Sequence, residues 1–434
     1  MTTSAADLPA VAPVQDRAIL GTVAAVALSF VVFGFMVDTP GGIARGLLAI
    51  TTTRDTLLTD YFGVGGIGAG CVNAGLLALA ACAVYRAAGA RMTGSSVACL
   101  FLVLGFALFG KNLLNVWFIV AGVYLYARFA GEPFANHLNT AFFGVALAPI
   151  FSEILFSTTI PATVSVPLAV VTSLVIGFVL PPVAAQAFKA HMGFSLYNMG
   201  FTAGLVGTLV VAMYKGYGFV PDPVFIWTTG NNALLGAFLA VVFAGMIAAG
   251  FLFDRRAVGG LRTIVGLTGQ SPTDFIAKAG FGAALVNMGL CGFIGMAYVF
   301  AVGGPLNGPV IGAIFTIVGF AAFGKHPRNL VPIMAGVFVG TLWKTWDPAG
   351  SSLLLAALFG TTLAPIAGRF GWQWGIVAGV LHASAAQTVG PLHAGLNLYN
   401  NGFAAGIVAT ILVPIILAVR KAAGKDQDLD DAGA

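Results

Sequence analysis

The sequence predicts an all-α, polytopic membrane protein built from two inverted-topology repeats, with broken or re-entrant helices near the bilayer midplane. Three observations predict it. The first is composition: of 434 residues, 59% are hydrophobic and 8% charged, against roughly 25% charged in soluble domains. The second is a series of apolar runs close to the roughly 20 residues a helix needs to cross about 30 Å of hydrocarbon. The third is a stretch that occurs twice. His191-Met-Gly-Phe-Ser-Leu-Tyr-Asn-Met-Gly-Phe-Thr-Ala-Gly204 returns as His393-Ala-Gly-Leu-Asn-Leu-Tyr-Asn-Asn-Gly-Phe-Ala-Ala-Gly406, identical at nine places without a gap. A transmembrane β-barrel would show short alternating segments instead.

The spans follow in order. The first half offers 19–37, 62–85, 95–110, 113–129, 138–157, 164–188 and 195–214. The second offers 232–253, 279–301, 308–324, 329–343, 352–368, 371–389 and 395–419. The expected organisation is a polar N-terminal segment (1–18), a first membrane repeat (19–215), an external linker (216–231), a second repeat (232–420) and a polar, disordered tail (421–434). No cleavable signal is expected, because Asp7, Asp16 and Arg17 precede the first apolar run and further spans follow it. Segments 138–157 and 195–214, with their counterparts, are the candidates for helices that enter and leave on one side.

The repeat runs through most of the chain. Asp60 matches Asp274, Asn73 matches Asn287 and Lys111 matches Lys325, at a constant offset of 214. Phe143-Gly144 and Leu147-Ala-Pro-Ile150 match Phe359-Gly360 and Leu363-Ala-Pro-Ile366, and Ala184-Ala-Gln186 pairs with Ala385-Ala-Gln387. Basic residues set the orientation, because cytoplasmic loops are enriched in Lys and Arg. Arg420, Lys421 and Lys425 follow the last span, whereas the equivalent Tyr214–Pro223 stretch is nearly neutral. Arg86 and Arg91 follow the second span, and the matching turn 301–308 has no charge. Each pair points to opposite sides, so the expectation is seven plus seven spans, inverted, with both termini cytoplasmic.

Unwound backbone at membrane depth survives only inside protein or beside a water-filled path. The repeated Gly-punctuated stretch is therefore the candidate solute site, with Tyr197, Asn198, Tyr399, Asn400, His191 and His393 as its polar groups. Inverted repeats would bring both copies to the midplane, where transporters place substrate. Each copy taken alone reads as a tie between helices. Asn73 and Asn287 divide evenly between binding a solute and an interhelical hydrogen bond. Lys111 and Lys325 read first as residues that snorkel to the headgroups, and second as anion attractors at each mouth of a pore. Glu153 falls opposite Arg369, as a gate pair, a proton-linked site or interfacial anchors; Arg369 beside Trp372 and Trp374 reads as an anchor, and Glu153 stays open among these. Asp60 and Asp274 read as helix caps. Cys71, Cys82, Cys99 and Cys291 lie in apolar runs without metal-ligand spacing, so neither a metal nor any other cofactor is expected.

The duplicated layout resembles an uncharacterised bacterial family of two-repeat integral membrane proteins, known as a domain of unknown function. That resemblance implies a multi-pass protein of the bacterial inner membrane and brings no substrate. Asn73-Ala-Gly-Leu-Leu77 with Tyr197-Asn-Met-Gly200, and Asn287-Met-Gly-Leu290 with Tyr399-Asn-Asn-Gly402, are also similar to stretches of urea transporters. Their Leu-Pro-x-x-Thr-x-Pro-Phe signature is missing, so what this likeness implies is a solute pore rather than urea. The expected function is a facilitative or channel-like transporter for a small polar or anionic solute, with an ion-coupled transporter as the alternative. An intramembrane enzyme or a structural subunit is the competing class. Against an enzyme, no HExxH, GxSxG or Walker loop is found. The net charge of +5 suits anionic headgroups rather than nucleic acid. Expected partners are the solute, membrane lipid and, in a homo-oligomer, further copies of the chain.

Overall fold

The computed structural model describes residues 13–219, 221, 224–342 and 345–424. These residues are helical, with two isolated β-bridges and no strand. The first half runs α1 (Pro13–Val37), α2 (Pro40–Thr52), α3 (Tyr61–Ala87), α4 (Gly94–Phe106) and α5 (Trp117–Ala130). It continues with α6 (Leu138–Gly144), α7 (Ala148–Leu155), α8 (Ala162–His191) and α9 (Asn198–Gly216). The second half runs α10 (Asn232–Phe253), α11 (Ala257–Gly266), α12 (Phe275–Ala279), α13 (Phe281–Ala301) and α14 (Gly308–Phe320). After these come α15 (Pro327–Thr341), α16 (Ser351–Gly360), α17 (Ala364–Phe370), α18 (Trp372–Val389) and α19 (Asn400–Ala422).

Among the described residues, 9 helical stretches are long and apolar enough to cross a membrane. Each of the remaining expected spans is also a helix, but α4 and α14 have only 13 residues, α5 has 14 and α15 has 15. At about 1.5 Å per residue, 13 residues cover roughly 20 Å, short of the hydrocarbon thickness. The short elements are therefore these four, and not 195–214, which forms the intact 19-residue α9. Segments 138–157 and 352–368 are helical stretches interrupted by 3-10 turns at Val145–Leu147 and Thr361–Leu363. The N-terminal boundary also moves. Helix α1 begins at Pro13, inside the expected polar segment, and Asp16 accepts a hydrogen bond from the Met92 amide. The tail beyond Gly424 lies outside the described residues.

Helices α2 and α11 were not expected. Thr39 caps α2 by accepting from the Gly42 amide, and Pro40 sits at the first helical position, where its missing N–H costs nothing. That Thr-Pro start was readable in the sequence. Helix α3 is kinked at Gly66 (φ 88°), and the equivalent Gly280 (φ 87°) separates α12 from α13. Only glycine adopts this conformation without strain.

The two halves meet through equivalent helices. Helices α4 and α14 run antiparallel, with Gly94 against the Ala322 carbonyl, Gly105 against Gly312 and Gly308 against the Leu108 carbonyl. A β-carbon on Gly312 would lie 2.6 Å from the Gly105 oxygen, so these helices touch through their backbones, as small residues allow. Antiparallel packing of equivalent helices puts the local two-fold axis at right angles to them. Asp60 and Asp274 strengthen the junction as well as capping their own helices. Asp60 accepts from the Phe62 amide and from the Gly308 amide of α14, at 3.0 and 3.1 Å. Asp274 accepts from the Ile276 amide and from the Gly94 amide of α4, both at 2.9 Å. Each aspartate thus caps one helix in either half.

Gly312→Leu should lower the unfolding temperature in detergent, because overpacking a closed contact costs about 1–3 kcal/mol. Gly245→Leu, on the open face of α10 where nothing lies within 4 Å, should leave it unchanged. Equal melting of both variants would show that the α4–α14 contact does not limit stability.

Candidate solute site between the two elbows

Helices α8 and α18 do not run directly into α9 and α19. Met192 and Ala394 turn into the left-handed region (φ 50° and 51°), followed by Gly193 and Gly395 (φ 76° and 72°). The chain reverses through an elbow at each place. One strap holds each elbow closed. His191 Nε2 donates to Asn198 Oδ1 at 3.0 Å, and Asn198 Nδ2 donates to the Ala184 carbonyl at 3.0 Å. In the second half His393 Nε2 donates to Asn400 Oδ1 at 3.1 Å, and Asn400 Nδ2 to the Ala386 carbonyl at 3.0 Å. Pairing with a carbonyl oxygen makes Nε2 the donor. These bonds match Ala184 with Ala386, one position away from the pairing read from the sequence.

Each elbow is completed by the opposite half. The Leu196 amide donates to the Thr362 carbonyl, and the Leu398 amide to the Ala146 carbonyl. Lys325 Nζ donates to Tyr197 Oη at 2.5 Å and to Thr361 Oγ1 at 2.8 Å. Lys111 Nζ donates to Tyr399 Oη at 2.6 Å. Lys111 Nζ also lies 4.9 Å from the Phe106 ring centroid and Lys325 Nζ 5.4 Å from that of Phe320. Both lysines are 0% exposed. They do not snorkel: a tyrosine hydroxyl of the other half meets each Nζ inside the protein.

The elbows enclose a cavity of about 210 Å³. Its walls are equivalent aromatic pairs: Phe106 with Phe320, Phe143 with Phe359, and Tyr197 with Tyr399. Gly200 and Gly402 also line it, at the first turns of α9 and α19, where a β-carbon on either would lie 2.8 Å from the other's Cα. Polar groups in the wall include Asn139, Thr140, Asn198, Ser271 and Asn401, and no charged side chain lines it. A second recess of about 470 Å³ shares Thr140, Ala184, Phe188 and Asn198 with the cavity and reaches the exposed Asn136 and Pro182.

The family described as a protein of unknown function (DUF1576) matches residues 39–216 and 253–418. The chain belongs to this family. The two matched segments fall on the two halves of the DUF1576 chain described above. No curated protein and no solved structure matches it. The likeness to urea transporters finds no support in these comparisons.

Of the residues singled out from the DUF1576 sequence, Tyr197, Asn198 and Tyr399 line the cavity. Asn400, His191 and His393 hold the elbows from behind. Asn73 and Asn287 lie away from the cavity. Asn73 Nδ2 donates to the Ala107 and Lys111 carbonyls and Asn287 Nδ2 to the Ala321 and Lys325 carbonyls, tying off the ends of α4 and α14. Glu153 is buried on α7 and pairs with Arg54 at 3.9 Å, and Arg369 lies on α17. Sequence reasoning missed Asn401, which lines the cavity while its Oδ1 accepts from His382 Nε2 at 3.1 Å. It also missed Asp55, wholly buried and accepting from Tyr61, Asn115 and Ser152. The signal for Asn401 was the doubled asparagine at the second elbow. Asp55 stands opposite Gly269 and had no repeat signal.

A double-mutant cycle on Lys325→Met and Tyr197→Phe should give a coupling of about 1–3 kcal/mol, as for residues in one buried network. Thermal unfolding of the purified protein measures it. Strict additivity would mean the contact contributes nothing to holding the elbow.

Proposed function

We propose that the protein is a facilitative transporter that carries a small polar or anionic solute through the cavity between its elbows. The reading rests on one observation: a cavity inside an apolar helical protein, walled by aromatic rings with polar groups among them and bounded by equivalent residues of both halves. Hydrocarbon leaves unwound backbone viable there only within protein or beside a water-filled path, and a site shared by two repeats is where transporters bind their cargo. The antiparallel pairing of α4 and α14 supports two repeats oppositely inserted in the bilayer. A two-fold axis across membrane-normal helices lies in the membrane plane. The distribution of Lys and Arg supports a bacterial inner-membrane protein with both termini in the cytoplasm. On that orientation the recess beside Asn136 leads from the cavity to the cytoplasmic side, which Arg86 and Arg91 also flank.

A second reading, ion-coupled transport through the same site, draws on Asp55. This carboxylate sits in a hydrogen-bonded cluster with Tyr61, Asn115 and Ser152, next in sequence to the Arg54 that pairs with Glu153. The second half has glycine at the matching position. Buried carboxylates in membrane proteins recur in proton relays.

Uptake by proteoliposomes of a panel including urea, short amides, formate and bicarbonate tests the function. At least one solute should enter in a protein-dependent way, and Thr140→Trp, which fills the mouth shared by cavity and recess, should cut that flux at least tenfold. Uptake without an imposed pH gradient supports the facilitative reading, and dependence on the gradient the coupled one. No flux for any solute rejects both.

Insertion is tested by labelling single cysteines in a background lacking the native four. A cysteine at Tyr217 should react from outside the cell, and one at Ala423 only after permeabilisation. Labelling of both from the same side would end the inverted arrangement.

A further inference from the structure

The cavity wall holds no charged side chain among the described residues, yet two helix N-termini face it. Helices α9 (19 residues) and α19 (23 residues) both begin at it, and their first turns meet at Gly200 and Gly402. Neither start is capped by a side chain: Tyr197 and Tyr399 occupy the N-cap positions and their hydroxyls go instead to Lys325 and Lys111. The amides of Asn198, Met199, Asn400 and Asn401 find no acceptor among the described residues. Two helix N-termini facing one space put roughly half a positive charge there from each side, together with free N–H groups.

A second observation is independent of the helix ends. Asn401 is only 5% exposed and lines the cavity. His382 takes its Oδ1, which turns Nδ2 the other way, and that amide nitrogen donates to no group among the described residues. A buried N–H₂ left over after its oxygen has been committed is a donor waiting for an acceptor. Behind the tyrosine rings stand Lys111 and Lys325, and no carboxylate pairs with either among the described residues. Asn139, the other amide near the mouth, is already satisfied, accepting from Tyr85 and donating to Ser95.

Resting on the transport reading, we propose that the solute is a small organic monoanion. Its charged group lies between the first turns of α9 and α19, receiving the Asn401 amide. Its apolar body lies among the aromatic pairs headed by Phe106 and Phe320. The aromatic wall offers nothing to a second charge, and a cavity of about 210 Å³ holds a benzoate-sized ion but not a nucleotide.

Isosteric pairs that differ only in charge test this. Titration calorimetry of the full-length protein in detergent should show benzoate binding at least tenfold tighter than benzamide, and acetate more weakly than benzoate. Asn401→Asp keeps the shape and the His382 contact but replaces the donor with an acceptor, so it should remove the preference for benzoate. Thermal unfolding in the absence of solute shows whether that variant is folded, and the wild-type comparison decides the matter if it is not. Benzamide bound as tightly as benzoate, binding of neither, or an unchanged preference in a folded Asn401→Asp protein would overturn the proposal. The two readings fail separately. Saturable benzoate binding without uptake of any solute defeats transport and leaves the anion site standing. Uptake of a neutral amide that benzoate does not inhibit defeats the anion site and leaves transport standing.

Discussion

A helix that stops inside a membrane protein leaves backbone groups that lipid cannot satisfy, and here the opposite half satisfies several of them. The Leu196 amide reaches Thr362 and the Leu398 amide reaches Ala146. The amides that open α4 and α14 are taken by Asp274 and Asp60, each from the other half. Lys111 and Lys325 cross in the same way to Tyr399 and Tyr197. Neither half alone could bury its own breaks, since an unpaired buried polar group costs about 1–3 kcal/mol and several would be exposed at once. The duplication therefore does more than double a scaffold. It makes two sets of broken helices affordable, and it is the breaks that leave a cavity.

The copies also differ in places around that cavity. Lys325 has two hydroxyl acceptors, Tyr197 and Thr361, while valine stands opposite Thr361 at position 145 and Lys111 has Tyr399 alone. Asn401 has its oxygen held by His382, and methionine stands at the matching place in the first elbow. Asn139 and Thr140, in the cavity wall, fall opposite Leu355 and Ala356. The shared residues make the elbows, and the unshared ones give the two approaches to the cavity different polarity. A symmetric frame with an asymmetric lining has a defined mouth on one side.

Much of this was legible in the sequence because the repeat is local and strict. The positions of the helices, the paired elbows and the capping by Asp60 and Asp274 follow from apolar runs, glycines and constant spacing. What was not legible depends on which residues meet across the halves. Lysine at the end of an apolar run reads as a headgroup anchor because its stem is long and its charge is costly to bury. Only the fold reveals a tyrosine hydroxyl waiting in the other repeat. Asn73 and Asn287 had two readings of equal weight, and distance separates them: both side chains are spent on carbonyls at the ends of α4 and α14. The recurrence that made the elbows visible also hid Asn401 and Asp55, since a search for matching residues passes over those present in one copy.

The placing of the lysines bears on how such a site can release what it binds. An ammonium in the wall would form a direct ion pair, strong in a low-dielectric setting and slow to break. Here each Nζ is set outside the cavity wall, against a tyrosine hydroxyl. The helix ends contribute partial charges on N–H groups, which neither move nor need to be desolvated when a solute arrives. On the proposed reading, that potential favours an anion without offering it a contact ion pair. Conduction requires binding strong enough to draw a solute in and weak enough to let it leave. On the proposed reading, fixed amide dipoles meet both demands, whereas two lysines lining the cavity would meet only the first.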